Sequence, residues 1–412
     1  MASNSIPLEE QKELLGKKNK NRQEGTMASE SIPLEEQKEL LDEYNKNGPL
    51  GFKSLILRKI DKWKETPLHI AVTGTPGAGK SSFINTCRGL LPSDRLAAGV
   101  GVTETTRTVT KYQHPKMANV ALYDLPGIGT SNYPNNSYLQ MVNFEKYDFF
   151  VIISCSRFTE NDAWLAKEVE KKGKHFYLVR SKIDIDIENN KRDFNRGDKE
   201  TQKIVKEDLE ACLRDLQILA PVYLISSLLK DVRKYDSPAL TDNLIESTPK
   251  IKKQALVLWL PTITKKTISE KVDVLKKRAT YMALASGIFG AVPLPVVSIG
   301  IDAAIILGEA KFYRQQFYLD DESLKKIEHD YSIKIDGLHL ASRDINFTED
   351  GIVASVAMNI AGTLGKIVLP IIGSIFAGYH YHNDTRRLLW NIINTMEKDA
   401  LKINYEIAEK MF

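Results

Sequence analysis

Gly74-Thr75-Pro76-Gly77-Ala78-Gly79-Lys80-Ser81-Ser82 fits G-x-x-x-x-G-K-[ST], the pattern of a phosphate-binding loop. The apolar run Leu68-His69-Ile70-Ala71-Val72 leads in as a strand, and Ser82-Phe83-Ile84-Asn85-Thr86-Cys87 leads out as a helix. That strand–loop–helix setting is what gives the motif weight. Glycines such as Gly77 and Gly79 let the backbone wrap close to a polyphosphate, so that successive N–H groups point at its oxygens. The helix N-terminus adds a field that favours anions. Lys80 supplies a point charge for β- and γ-phosphates, and the Ser81 hydroxyl is suited to bind Mg²⁺.

Outward from the loop, Leu68 to about Leu244 alternates between strands and helices. Strands are expected at 68–72, 108–112, 120–123, 149–154, 176–179 and 222–225, and helices at 82–90, 161–172, 201–216 and 237–246. Such alternation predicts a mostly parallel sheet covered by helices on both faces. Upstream, Phe52, Leu55, Ile56, Ile60 and Trp63 recur at helical spacing until Thr66-Pro67 ends the run. Pro33, Glu35 and Glu36 suit its first turn. Further upstream, MASNSIPLEEQKELL (1–15) returns as MASESIPLEEQKELL (27–41). Two copies are too few for a solenoid. The basic, polar segment between them reads as disordered and the repeat as a duplication, with Met27 an alternative start.

After Pro249 the strand signals fade. Leu260–Thr280 reads as a long helix, Asp320–His329 as a short charged one, and Thr385–Met411 as another long one. Two apolar stretches lie among them. Residues 281–301 hold no charge but contain Pro293 and Pro295, which predicts two short helices joined by a turn. Residues 351–379 carry only Lys366 and are rich in Gly. Buried core, conditional membrane contact and true spanning all remain open for them.

The chain has 412 residues, 42% hydrophobic and 27% charged, as in ordinary globular proteins, and its length favours two domains. A net charge of +4, from 57 basic and 53 acidic residues, gives no argument for nucleic acid as a partner. Three cysteines without metal or disulfide spacing suit a reducing compartment. The polar start carries no secretory signal, and Ala2 in place of Gly leaves no N-myristoylation motif.

Four further motifs bear on which nucleotide is bound. Asp124-Leu125-Pro126-Gly127 follows a strand and fits D-x-x-G, with Asp124 ordering Mg²⁺ and the Gly127 N–H reaching the γ-phosphate. Between it and the phosphate loop, Gly101–Thr106 (GVTETT) stands where a first switch loop belongs; Thr106 is the preferred Mg²⁺ ligand, with Thr105 and Thr103 as competitors. Ser181-Lys182-Ile183-Asp184 approximates N-K-x-D. The Asp184 carboxylate can accept from guanine N1–H and N2–H₂ together, a donor pair adenine lacks, while the Lys182 stem lies on the base. Ile225-Ser226-Ser227 ends a strand where a loop meeting guanine O6 is expected.

In this order the blocks AVTGTPGAGKSSFIN (71–85), YDLPGIGTSNYP (123–134), YDFFVIIS (147–154), FYLVRSKID (176–184) and FYRQQFYLDDESL (312–324) closely resemble the immunity-related GTPases, the interferon-inducible family. The resemblance covers about residues 68–322. It implies an α/β Ras-like P-loop GTPase domain plus an all-α domain built from the N- and C-terminal segments. Written as boundaries, 1–27 is a leader, 28–66 the N-terminal helices, 67–249 the GTPase domain, and 250–412 the C-terminal helical part with apolar hairpins at 281–307 and 351–379. The resemblance also implies GTP and GDP binding with Mg²⁺, nucleotide-dependent homodimers and oligomers, and a cytoplasmic protein that associates with intracellular membranes, including vacuoles that hold pathogens. Its phosphate contacts fall on Gly79, Lys80, Ser81 and Ser82, its switch threonine on Thr106, and its guanine contacts on Lys182 and Asp184 with Ser226 and Ser227 behind them. Lys80 matches the Lys-bearing branch rather than the regulatory branch that carries Met, and the family often has Thr at Ser181. The second apolar stretch departs from the familiar tails.

One absence shapes the expected mechanism. Ras-type enzymes orient the attacking water with Gln just after D-x-x-G, and here Ile128 stands there. An Ile side chain can neither donate to nor accept from water, so intrinsic hydrolysis should be slow. The resemblance points to Glu104 as a carboxylate used across a dimer interface, against the alternative of a solvated loop residue. The expectation is a GTPase stimulated by self-assembly; the alternative is a non-catalytic switch or scaffold.

Overall fold

The computed structural model describes residues 32–100, 108–128, 133–289, 295–343 and 374–411. The chain enters through helix α1 (Leu34–Glu65), one element with a kink at Gly48, whose φ of 67° is left-handed. Leu40, Phe52, Leu55, Ile56, Ile60 and Trp63 form its buried stripe. Strand β1 (Leu68–Gly74) runs into the phosphate loop and helix α2 (Lys80–Cys87). Next come β2 (Thr110–His114), β3 (Met117–Asp124), α3 (Asn135–Met141), β4 (Phe149–Ser154), α4 (Glu160–Lys171), β5 (His175–Arg180), α5 (Ile183–Phe194), α6 (Asp198–Asp215), β6 (Val222–Leu224) and α7 (Ser237–Ser247).

The six strands form one sheet in the order β2-β3-β1-β4-β5-β6. Every pairing is parallel except that of the edge hairpin β2–β3. The predicted mostly parallel α/β sheet is therefore observed. Side chains alternate between its faces, so that along β4 Phe149, Val151 and Ile153 enter one core while Phe150 and Ile152 enter the other.

Helix α8 (Lys250–Trp259) opens the helical part, followed by α9 (Lys265–Phe289), α10 (Pro295–Gln316), α11 (Asp321–Tyr331) and α12 (Ser374–Met411). Ile268, Val272, Leu275, Ala279 and Met282 of α9, buried at alternating spacings of four and three, pack mainly against α12. The two short helices expected across 281–301 are not found. The apolar stretch instead supplies the end of α9 and the start of α10, each longer than 20 residues. Flanking charged segments, read separately in the sequence, continue the same helices. Residues 290–294 and 351–373, and with them most of the second apolar stretch, lie outside the described residues, as does the first repeat copy. Among the described residues no helix is long and apolar enough to cross a membrane.

Candidate nucleotide site

The parallel register brings the C-terminal ends of five strands to one edge. Val72 pairs with Asp124, Gly74 with Ile153, Ser154 with Arg180, and Arg180 with Leu224. Loops leaving these ends carry the motifs, at the edge where ligands of open α/β sheets bind. Gly74 fits there only without a side chain: its φ is 142°, and a Cβ would lie 1.9 Å from the Ile153 carbonyl oxygen. Gly79, the N-cap of α2 at φ 92°, is likewise left-handed, a conformation glycine adopts without strain where the loop enters the helix.

Lys80 is buried, and its Nζ donates to Gly74 O at 3.1 Å and Thr75 O at 3.3 Å, lying along the inside of its own loop. Ser81 follows in the first turn of α2 and donates from Oγ to Asp124 Oδ2 at 3.2 Å, and Ser82 comes next. A hydroxyl and one carboxylate set this close suit Mg²⁺, which keeps waters and takes other ligands from substrate phosphates. No group of three or more His, Cys, Asp or Glu stands ready for a metal among the described residues. Gly127 closes the D-x-x-G turn, where Leu125 N donates to Val72 O at 2.8 Å and keeps the turn against β1. The Ile128 carbonyl accepts from Asn161 Nδ2 at 3.4 Å. Next to Asn161, the buried Asp162 carboxylate accepts from Thr159 N and Oγ1 at 2.9 and 2.8 Å. Burial raises its pKa, opposed by those bonds and by the Lys80 charge.

The two motifs expected to meet the base, S-K-I-D and Ser226-Ser227, come together beside the phosphate loop. Ser181 is buried, with Oγ donating to Ala78 O at 2.5 Å and its N–H donating to Ser154 O at 2.8 Å. The residue that replaces Asn in the N-K-x-D pattern thus ties that motif to the phosphate loop. Lys182 adopts a left-handed φ of 61° and caps α5, which places Asp184 in the first turn of that helix. Ile183 N donates to Ile225 O at 3.3 Å and Ile225 N to Arg180 O at 2.8 Å, so the Ser226-Ser227 loop lies alongside. Thr86 Oγ1 of α2 donates to Ser227 O at 2.5 Å, joining that loop to the phosphate-loop helix. Ser226 is buried and its Oγ accepts from Leu228 N at 3.4 Å, while Ser227 Oγ is buried without a partner among the described residues.

Glu104, Thr106 and their competitors Thr103 and Thr105 lie outside the described residues. The approach to that segment is held by residues the motif reading passed over. Asn85 clamps Ala98 through both its N–H and its C=O, at 2.6 and 2.9 Å, and Arg88 donates to Leu96 O at 2.7 Å and Gln113 O at 3.0 Å. Asn85 ends a block quoted from the sequence, but its long-range partner is invisible there. Tyr138 was also passed over: its hydroxyl lies 3.1 Å from Thr73 Oγ1 and donates to Pro126 O at 3.0 Å. Cys87, behind the loop, is an inert thiol pushed up to about 12 by burial.

The family model described as Interferon-inducible GTPase (IIGP) matches residues 37–407. T-cell-specific guanine nucleotide triphosphate-binding protein 2 of Mus musculus is 41% identical over 288 residues, covering 68% of this chain and 67% of that protein. Interferon-gamma-inducible GTPase 10 of Mus musculus is 36% identical over 336 residues, 80% of this chain and 79% of that one. Interferon-inducible GTPase 5 of Bos taurus is 33% identical over 363 residues, 84% and 76% respectively. With the family model spanning most of its length and a phosphate loop, D-x-x-G turn and S-K-I-D turn gathered on one sheet edge, this chain belongs to the interferon-inducible GTPase family.

Proposed function

We propose that this GTPase hydrolyses GTP slowly alone and faster on nucleotide-dependent self-assembly, and that it works in immune defence as a cytoplasmic protein meeting intracellular membranes. Residues 67–249 form the catalytic domain in this reading, and 28–66 with 250–412 the helical domain. One observation carries the proposal: the residue after D-x-x-G, Ile128, is half-buried against the hydrophobic core, and its side chain offers no group to orient water. A second molecule then has to supply the missing acceptor, and Glu104 is our candidate.

The roles of the chain's own residues follow from their chemistry. Gly77, Gly79 and Ser82 lend backbone N–H groups to the phosphates, and Gly127 senses the γ-phosphate. Lys80 leaves its two loop carbonyls for phosphate oxygens, exchanging neutral acceptors for charged ones. Ser81, Thr106 and Asp124 would hold Mg²⁺, which when bound would supply neutralisation of the negative charge on the phosphates. Asp184 reads guanine, Lys182 covers its face, and the Ser226-Ser227 loop meets O6.

Specific activity measured over a wide dilution series tests the assembly step. It should climb with protein concentration, and a flat profile would overturn the reading. Lys80→Ala should lose nucleotide affinity along with turnover. Glu104→Ala should lower turnover by about 100-fold or more, the scale of a positioned general base, while GTP still binds. Normal turnover in Glu104→Ala would return that residue to a solvated loop.

A further inference from the structure

The S-K-I-D turn runs on into a second acidic residue, Ser181-Lys182-Ile183-Asp184-Ile185-Asp186, so the first turn of α5 carries two carboxylates. The fold uses them differently. Asp186 accepts from Arg180 Nη2 at 2.6 Å, whereas Asp184 is half-buried and makes no hydrogen bond or ion pair among the described residues. Arg180 closes β5 and is only 8% exposed. Its other terminal nitrogen, Nη1, donates to Ser181 O at 3.3 Å. One planar guanidinium thus holds the carbonyl just before Lys182 and a side chain from the helical turn just after it. Lys182 is the part of this turn that needs holding. Its φ of 61° is left-handed, which strains any residue with a Cβ, and it caps α5 without a side-chain hydrogen bond. Ile185 N and Asp186 N donate to Lys182 O at 3.1 and 3.2 Å, so the first turn of α5, with Asp184 in it, is wound upon Lys182 itself. The Arg180–Asp186 bond ties the side chains of that turn back to β5.

Charge adds a second reason for the pair. Half-burial raises the Asp186 pKa, Arg180 opposes that rise, and the nearby Asp184 charge adds to it. Arg180 therefore neutralises Asp186 beside a carboxylate that has to be ionised to accept from two N–H donors at once. We propose that Arg180 and Asp186 are positioning residues for base selection: the guanidinium fork locks the left-handed Lys182 turn so that the Asp184 carboxylate stands unengaged and faces guanine N1–H and N2–H₂. This assignment rests on the reading above that Asp184 meets the base. A lysine at position 180 would keep the charge, but a single ammonium lacks the planar fork that spans Ser181 O and Asp186 together. The phosphate loop is anchored elsewhere, through Ser181 Oγ and Ala78 O, so the fork acts on the choice of base rather than on the grip on phosphate.

Calorimetric titration of the full chain with GDP and with IDP tests the pair, because hypoxanthine keeps N1–H and lacks the N2 amino group. The parent should prefer GDP. Arg180→Lys and Asp186→Ala should each weaken GDP by about tenfold or more and IDP by less, so that the GDP-to-IDP affinity ratio falls. A purely structural role would not move that ratio, since a less stable fold lowers the binding of both nucleotides alike. Asp186→Ala puts a strong helix former at a helical position, so it decides the matter if Arg180→Lys does not fold. Asp184→Asn tests the underlying reading separately. A parent-like ratio in Asp184→Asn would show that Asp184 does not meet the base, and the positioning pair would fall with it. A collapsed ratio in Asp184→Asn alongside a parent-like ratio in Asp186→Ala would overturn the pair alone, as would parent-like GDP affinity in Arg180→Lys.

Discussion

The Tyr138 hydroxyl touches both halves of the phosphate site, Thr73 Oγ1 at the end of β1 and Pro126 O inside the D-x-x-G turn. Tyr138 is fully buried, and burial raises its pKa, so it stays a neutral donor. Tyr138→Phe would keep the ring and remove only the bridge, leaving two buried groups without partners at a cost of about 1–3 kcal/mol. Urea unfolding measures that loss. Turnover should fall more than GDP affinity if, as proposed above, the turn that holds Pro126 meets the γ-phosphate; equal stability of the variant and the parent would refute the bridge. Lys80 and Ser81 were legible in the sequence because a phosphate loop fixes residue type at fixed spacing, and Asp124 because D-x-x-G does so after a strand. Tyr138 was not, since its partners lie 65 and 12 residues away and no short motif encodes such a contact. Ser181 was legible only as a substitution; its bond to Ala78 O, 103 residues away, required the fold.

At the scale of elements, α9 carries a lysine where its pattern calls for an apolar side chain. Lys271 is fully buried next to Val272, its Nζ donating to Gln316 O at 2.8 Å and lying 5.2 Å from the Tyr318 ring centre. Burial without a carboxylate partner depresses its pKa to about 7. An unfolded lysine keeps its proton to about 10.4, so between these values the unfolded chain binds more protons than the folded one. Stability contributed at this site therefore rises with pH from about 7 to about 10 and is lowest below 7, where a charged ammonium sits in the core. Lys271→Met should remove that dependence, so the stability of the parent relative to the variant should improve as pH is raised through this window. Urea melts of both proteins at several pH values check it, and a difference independent of pH would place the folded pKa elsewhere. The helix itself was legible in the sequence, but its extent was not. The charged run 260–280 and the apolar run after it were read as separate pieces, although one hydrogen-bonded ladder joins them through Phe289. Helix α5 was missed as well, because IDIDIENNKRDF presents only Ile183 and Ile187 as buried anchors.

Over the whole molecule, one hydrophobic cluster continues from the sheet into the helical part. Ile70, Val72 and Val151 of the sheet share it with Trp259, Leu275, Tyr313 and Ile393 of the helices. Polar ties reinforce the seam: Lys252 pairs with Asp148 at 2.6 Å, Asn119 donates to Trp63 O at 2.5 Å, Lys326 donates to Gly89 O at 2.9 Å, and Arg233 bonds Thr262 O at 3.2 Å and Asn404. Gly89 lies two residues past the helix of the phosphate loop, whose Phe83 and Ile84 belong to the shared cluster, so the seam reaches that helix. An apolar core shared this way leaves neither part able to expose its half without losing the other's burial. The GTPase and helical parts should therefore unfold in a single calorimetric transition. GDP, which contacts only the first part in our reading, should shift that entire transition upward, by about 3 kcal/mol of stability at a hundredfold excess over its dissociation constant. Two resolved transitions, with GDP moving only one, would show that the seam does not couple them. The phosphate-loop helix is part of the same unit: Phe83 and Ile84 of α2 lie in the cluster that α8, α9 and α12 share, so α2 cannot melt without opening that core.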